Sequence, residues 1–199
     1  MNVAGVANRF VFAIGDPCSF PSCLDLRRGP LAELEPFTRA MWAFTQDQEH
    51  NRSGTVGVGG LERTVEVAAD IELVYSDLPC AIRCIAGGVG VRVLFAISRF
   101  DLIVAPPGTP WEQAFDADDE MFQNCLAEGK LTLTPQPADA QVVCSIREWG
   151  SDNLVASVTL PATQVIATLR AFLRDLMRRA VASGYVGAAE AHAFLALAE

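Results

Sequence analysis

The most concentrated candidate chemistry in this chain is a run of acidic residues. Between residues 100 and 129 there are seven acids and no Lys or Arg, and the letters DADDE run from Asp116 to Glu120. Clustered carboxylates can hold a hard cation, and a calcium loop would place Gly at its sixth position and Glu at its twelfth. Counted from Asp116, those positions hold Met121 and Ala127. The pattern therefore does not predict a metal site.

Two other interpretations of the acidic run are compatible with each other. Acids are favoured at the start of a helix by its dipole, and a negative patch can also meet a basic partner protein. Tryptophans close to such a patch could serve as exposed anchors, although Trp is more often buried. The predicted partner-binding residues are Asp116, Asp118, Asp119, Glu120, Trp111 and Trp149.

Other patterns that carry chemistry are weak or missing in the sequence. The two histidines, His50 and His192, form no recognisable arrangement with a serine or a cysteine. Neither G-x-S-x-G nor H-E-x-x-H occurs. The sequence therefore predicts no catalytic residue and no cofactor.

Cysteine spacing likewise does not favour zinc. Cys18 and Cys23, and Cys80 and Cys84, lack the C-x2-C spacing that is usual in structural zinc sites. Three of the six cysteines lie in apolar surroundings and are interpreted as small core residues: Cys84, Cys125 and Cys144.

A glycine-rich stretch, SGTVGVGG at 53–60, raises the question of a phosphate loop. A P-loop would end in Gly-Lys-Ser/Thr and lead into a helix whose amides point at the phosphate. Here the following residues, LERTVEV, begin a strand pattern. The stretch is better explained by tight turns, a bulge or close backbone approach at a sheet edge.

Hydrophobic periodicity predicts the elements that must position these residues. Strict alternation across 62–77 indicates one or two strands with one wet face. Further strands are predicted at 9–14, at 81–86 and 89–98 as a hairpin around two glycines, and at 99–105, 130–134, 141–149 and 154–160.

Helices are predicted where apolar residues recur every three or four positions. They cover 31–48, 109–128, 161–183 and a short C-terminal helix within 187–198. The second would start in a capping box, with Thr109 as the cap, and could be divided by the acidic run. Arg170, Arg174 and Arg178 would form a solvated ridge on the third, with Asp175 pairing nearby.

Together these elements predict a single α+β domain over residues 1–199. Strands joined by short turns imply antiparallel pairing, so we expect a twisted, mostly antiparallel sheet with helices packed on one face. The helices over 31–48 and 161–183 should cover that face. The short C-terminal helix should pack on the body of the domain.

Composition limits the classes of partner. The net charge of −9 excludes nucleic acid as a favoured partner, because Lys and Arg contacts to phosphate supply most of that affinity. No apolar run reaches the roughly 18 residues of a bilayer span. The N-terminus lacks the charged start of a signal peptide. We therefore expect a cytoplasmic protein that does not bind membranes.

One segment resembles a known class of protein. Residues 142–177, VVCSIREWGSDNLVASVTLPATQVIATLRAFLRDLM, show a strand, a polar hairpin, a strand ending in Leu-Pro and an amphipathic helix. This arrangement resembles the C-terminal part of small bacterial immunity proteins, which protect a cell against polymorphic or contact-delivered toxins. The resemblance implies a cytosolic inhibitor that covers the active site of one cognate toxin domain. It carries over no functional residue.

Three functions follow as alternatives. The first is such an inhibitor of a basic toxin domain, without chemistry of its own. The second is an enzyme or small-molecule-binding domain with a pocket between sheet and helices. The third is a subunit of a larger assembly, and the sequence leaves the oligomeric state open.

Overall fold

The computed structural model describes residues 9–15, 53–128, 130, 133–151 and 153–199. These residues form eight strands and five helices in one α+β arrangement, and strand pairing is mostly antiparallel, as predicted. The strands form two sheets where the sequence suggested one. The predicted helix over 31–48 lies outside the described residues, as do Cys18, Cys23 and His50.

The element bounds are as follows. The strands are β1 Phe10–Ile14, β2 Ser53–Val58, β3 Leu61–Glu66, β4 Val91–Phe95, β5 Phe100–Ala105, β6 Phe115–Asp116, β7 Gln141–Glu148 and β8 Leu154–Pro161. The helices are α1 Glu72–Val74, α2 Leu78–Ala86, α3 Glu120–Ala127, α4 Ala162–Ala182 and α5 Ala188–Ala196. None of the described helices is long and apolar enough to cross a bilayer.

The glycine-rich stretch forms a strand and a tight turn in the smaller sheet, whose order is β1-β2-β3. Gly59 and Gly60 join β2 to β3 with φ values of 58° and 92°, a left-handed geometry that favours glycine. A Cβ on Gly59 would lie 2.9 Å from the backbone oxygen of Ser157 in β8. The prediction of a tight turn and a close backbone approach is confirmed.

The larger sheet has the order β6-β4-β5-β7-β8 and two different faces. Alternate residues of its central strands, such as Phe95, Leu102 and Cys144, face the hydrophobic core. The intervening residues lie on the opposite side, which we call the outer face. The outer face carries Ile103 together with four charged or polar residues, which are Arg92, Asp101, Ser145 and Arg147.

Helix α4 covers the core side. Its apolar stripe is buried, with Leu169, Leu173 and Leu176 each at most 2% exposed. Pro161 precedes its first turn, and Gly184, with φ 78°, follows its end, both as predicted. Phe12 of β1 lies 4.6 Å from Phe172 of α4 and 5.9 Å from Phe95 of β4, between ring centroids. These contacts connect both sheets and the helix in one core.

The strand predicted across 62–77 ends early. Beyond Glu66 the chain forms a π-helical turn, Val67–Ile71, and then α1. The buried residues Val67, Ile71 and Val74 recur every three or four positions, which suits a helical turn. The apolar residues of this stretch fit both a strand and a helical pattern. The buried carboxylate of Asp70, which accepts hydrogen bonds there, stabilises the helical form.

The predicted hairpin over 81–98 is also wrong in its first half. Residues 81–86 belong to helix α2, which has Pro79 in its first turn, and only Val91–Phe95 form a strand. Gly87 and Gly88 connect the helix to β4. A short apolar run buried on nearly all sides has no polar face, so periodicity alone cannot distinguish helix from strand there.

The predicted helix over 109–128 is divided, and Thr109 does not cap it. Residues Trp111–Gln113 form a single 3-10 turn, β6 follows, and α3 starts only at Glu120. Because Phe115 and Asp116 pair with β4 as a strand, the helix cannot continue through these two residues. Of the predicted strand over 130–134, residues 131 and 132 lie outside the described residues, and Leu133 and Thr134 are not in a strand.

Candidate functional site: the acidic turn and the outer sheet face

The acidic run lies at one edge of the larger sheet. The two-residue strand β6 pairs in parallel with β4, where Phe115 donates its N–H to the Gly90 oxygen at 2.9 Å and Ala117 to the Arg92 oxygen at 2.8 Å. Ala117 is buried, at 1% exposure. These contacts anchor a turn that presents the neighbouring acids at the surface, and we call Phe115–Met121 the acidic turn.

Asp116 is committed to an ion pair inside the protein. Its carboxylate accepts two hydrogen bonds from Arg92, one of them from Nη2 at 2.8 Å. The hydrogen bond from this guanidinium to Asp116 raises the pKa of Arg92 above its usual value. Arg92 Nη1 also lies 3.9 Å from Oδ2 of the buried Asp101. Asp116 therefore orders the sheet edge and contributes less free charge than the sequence suggested.

Asp119 is the N-cap of α3. Its Oδ1 accepts the N–H groups of Met121 at 2.9 Å and Phe122 at 3.1 Å. A carboxylate in this position satisfies helix amides that have no partner within the helix, and it interacts favourably with the dipole. The expectation of an acid at a helix start is confirmed, at Asp119.

Replacing this cap should destabilise the protein modestly. We expect Asp119→Ala to lower the free energy of unfolding by about 1 kcal/mol, because two helix amides lose their acceptor. Asp119→Ser should retain most of the stability, since serine also caps helices. Urea unfolding followed by circular dichroism would measure both. Equal losses in the two variants would contradict a capping role.

The exposed part of the acidic turn combines charge with apolar surface. Asp118 and Glu120 are exposed, and neither forms an ion pair within the described part of the chain. Beside them the side chain of Met121 is 73% exposed and that of Phe115 is 45% exposed, with the Phe115 ring stacked on Phe122 at 4.4 Å. Exposed apolar surface bordered by charged residues is typical of an interaction site.

A further carboxyl group lies behind the turn. Asp77 accepts a hydrogen bond from Gln123 Nε2 at 3.2 Å, and Gln123 also donates to the Ala117 oxygen. Burial raises the pKa of Asp77 from 3.8 to about 6; the charge of Asp118 acts in the same direction, whereas the Gln123 hydrogen bond lowers it. Sequence reasoning missed this residue, since it lies 39 positions before Asp116 in the chain.

The raised pKa of Asp77 predicts a pH dependence. The folded state holds this proton more tightly than the unfolded chain, so the contribution of Asp77 to stability is greatest below about pH 4 and is lost as pH rises through about 6. Asp77→Asn should remove about 1 kcal/mol of this decline, after allowance for solvent screening. Unfolding of both proteins between pH 4 and 7, with Asp139→Asn as an exposed control, would measure it. An Asp77 carboxyl that titrates near pH 4 by NMR would contradict the assignment.

The two predicted tryptophans lie in different settings. Trp111 is half-buried beside the outer face, and the guanidinium carbon of Arg147 is 4.9 Å from its ring centroid. Trp149 lies in the turn after β7 and is 51% exposed, and its backbone N–H donates to the Arg99 backbone oxygen at 3.0 Å. Trp149 is thus an exposed side chain, whereas Trp111 is part of a packed cation–π pair.

The structure connects Asp116 and Trp111 through residues that the sequence did not indicate. Arg92 contacts Asp116 and approaches Asp101, Asp101 is the cross-strand partner of Arg147, and Arg147 covers Trp111. Opposite charges on neighbouring strands of one face are favourable. A polar residue inside the apolar strand FDLIVA was the available signal for Asp101, but its partners come from strands distant in sequence.

The basic ridge on α4 behaves largely as predicted. Asp175 accepts hydrogen bonds from Arg178 at 2.5 Å and from Arg179 at 2.8 Å. These hydrogen bonds hold the pKa of Asp175 below its usual value against the opposing effect of its partial burial. Arg170 instead donates to the backbone oxygens of Ala198 and Glu199. Arg174 and Arg178 are thus exposed, as predicted, whereas Arg170 is engaged with the C-terminal residues.

The described cysteines are structural in position. Cys84 and Cys144 are buried in the core, as predicted, and Cys125 is half-buried. Burial raises the pKa of Cys144 to about 12. Cys80 lies one turn before Cys84, whose thiol hydrogen bond lowers the pKa of Cys80. Among the described residues, no three His, Cys, Asp or Glu side chains are grouped to hold a metal ion.

Comparison with protein families, with curated proteins and with solved structures finds no match for this chain.

Proposed function

We propose that this chain is an immunity-type inhibitor that binds a basic bacterial toxin domain through the acidic turn. The observation that carries the proposal is the combination of exposed Asp118 and Glu120 with exposed Phe115 and Met121 on one anchored turn. Apolar side chains supply affinity at the centre of an interface, and charges steer and orient the approach.

The geometry narrows the set of residues that would contact the partner. Asp116 and Asp119 hold the turn in place through Arg92 and the α3 amides, so their effect on binding would be indirect. Asp118 and Glu120 are exposed and would attract a basic partner at long range. Trp149 is an exposed anchor at another corner of the larger sheet. The partner surface is therefore expected to be basic, with an apolar recess.

The net charge and the resemblance of residues 142–177 to immunity proteins support the same proposal. Many toxins that act on nucleic acids or nucleotides carry a basic cleft, and an acidic protein that covers the cleft would stop substrate entry. Such an inhibitor acts in the cytoplasm of the bacterium that it protects and needs no catalytic residue or cofactor.

A direct experiment uses the cognate toxin domain, which we expect to be encoded beside the gene for this chain. We expect the purified protein to abolish the activity of that domain at a one-to-one ratio and to bind it with nanomolar affinity or better. If this protein instead inactivated the toxin as an enzyme, a small fraction of one equivalent would be enough to abolish toxin activity. Full toxin activity in the presence of excess protein would refute the proposal.

The same preparation tests the small-molecule alternative. Thermal-shift measurements with nucleotides, divalent metals and metabolites would reveal any ligand that binds the folded state, because such a ligand raises the melting temperature. Light scattering would establish whether the chain assembles with itself. A strong shift with one nucleotide or metal, together with no effect on the toxin, would favour the second alternative, an enzyme or small-molecule-binding domain.

A further inference from the structure

The outer face of the larger sheet carries a groove that the proposed function does not use. It has a volume of about 290 Å³ and lies over β5, β7 and β8, with the 106–111 segment along one side. Ligand pockets commonly occupy roughly 300–1,000 Å³. The groove is at the lower end of that range, so an occupant would be a small molecule.

The groove has an apolar floor and rim. Ile103 and Ala105 of β5 are buried beneath it, at 2% and 5% exposure. Val143 lies beside them, and Leu154 of β8 borders the groove with 54% of its surface exposed. An apolar body that lies on this floor would cover the exposed side chain of Leu154, which favours binding.

The polar groups of the groove point to the chemistry of the occupant. Arg147 is the only charged side chain among the described residues that line it. The guanidinium carbon lies over the Trp111 ring, 4.9 Å from its centroid. A guanidinium carries five N–H donors, so it can hold this position and still donate to a ligand. Ser145 and Ser157 face each other as cross-strand partners and add hydroxyl groups beside it.

We propose that this groove binds a small organic carboxylate with an apolar body. Arg147 would donate to the carboxylate, since guanidinium and carboxylate match in charge and geometry. A serine hydroxyl would donate to the second oxygen. The apolar body would lie over Ile103 towards Leu154. A cationic ligand is disfavoured by Arg147, and a large ligand is disfavoured by the volume.

The proposal is independent of the toxin partner, because its residues lie on the outer face and not on the exposed acidic turn. Its test uses 3-phenylpropionate, which has a carboxylate and a compact apolar body. The neutral isostere 3-phenylpropionamide serves as the chemical control. Binding to the full chain would be followed by NMR through the indole N–H signal of Trp111, assigned with Trp111→Phe.

We expect 3-phenylpropionate to shift the Trp111 signal with saturation in the millimolar range or below. The amide should bind at least tenfold more weakly, because it lacks the charge. Arg147→Gln should weaken carboxylate binding at least tenfold. The control Arg178→Gln, which removes an exposed arginine of α4, should leave it unchanged.

Ser145→Val gives a second variant that retains every charge, in case Arg147→Gln fails to fold. It should weaken binding of the carboxylate severalfold, because a hydroxyl donor is lost and the groove narrows. The proposal is overturned if 3-phenylpropionate leaves the Trp111 signal unshifted at 10 mM, or if carboxylate and amide bind equally well.

Discussion

Asp70→Ala should lower the free energy of unfolding by about 3–5 kcal/mol, the largest effect we expect from any single polar substitution. Asp70 is completely buried. Its Oδ1 accepts the N–H groups of Ile97 at 3.2 Å and Ser98 at 3.1 Å, and its Oδ2 accepts the Glu66 N–H at 3.3 Å and the Ser98 hydroxyl at 2.5 Å. Alanine would leave all four donors without this acceptor.

Asp70→Asn separates hydrogen bonding from packing. An asparagine of the same shape could still accept two amides at Oδ1, and its amino group could donate to Ser98, so only the Glu66 N–H would lose its acceptor. We expect a loss of about 1–2 kcal/mol for this variant. Asp139→Ala, at an exposed turn, is the control and should cost almost nothing. Denaturant unfolding of the three variants would measure these changes in the free energy of unfolding. A loss below about 1 kcal/mol for Asp70→Ala would show that the carboxylate does not hold the β4–β5 turn.

Phe95→Ala should destabilise the protein by about 3–5 kcal/mol through the cavity that it leaves. Phe95 is fully buried and stacks on Phe100, with 4.6 Å between ring centroids. It also contacts Phe12, which packs on α4 from the smaller sheet. The cavity would therefore open where both sheets and the helix meet.

Phe115→Ala is the matched control, because it removes an equal side chain that is 45% exposed and stacks on Phe122. We expect it to cost about 1 kcal/mol or less, since little buried contact is lost. If residues 1–199 form a single domain, Phe95→Ala should also shift one cooperative transition, observed at the same midpoint by far-ultraviolet circular dichroism and tryptophan fluorescence. Two separated midpoints, with only one shifted, would contradict a single cooperative unit.

The segment from β7 to α5 was the most predictable part of the fold from its sequence. A polar turn between two alternating strands and a long apolar stripe after Pro161 are local signals that agree with one another. The predicted strands 141–149 and 154–160 correspond closely to β7 and β8, and the helix predicted over 161–183 corresponds to Ala162–Ala182.

Helix α2 and the π-helical turn could not be predicted because tertiary contacts decide them. Residues of α2 are buried on several sides, so their sequence has no polar face to reveal a period. The turn at Val67–Ile71 depends on hydrogen bonds that Asp70 accepts from the backbone of a loop 27 and 28 positions away. No local propensity contains that information.

The candidate site was predicted in part for a similar reason. Charge and composition located the acidic run, but several acids could have capped the helix. Pairing of β6 with β4 placed Asp119 at the cap and Asp116 against Arg92. The groove and the Arg147–Trp111 contact combine strands that are neighbours only in the folded sheet.

The association rate with the proposed cognate toxin domain tests most directly whether the acidic turn is the docking surface. The sharpest variant is Asp118→Lys/Glu120→Lys, because it reverses two exposed charges and leaves Asp116 and Asp119 in place. The matched control is Glu66→Lys/Asp139→Lys, which changes the net charge equally at exposed positions outside the turn.

At low ionic strength we predict that the turn variant associates at least tenfold more slowly than the unmodified protein, whereas the control variant changes by severalfold at most. At high salt the difference should shrink, because exposed charges are screened. Stopped-flow fluorescence would measure these rates. Equal association rates for the two variants at low salt would contradict the account.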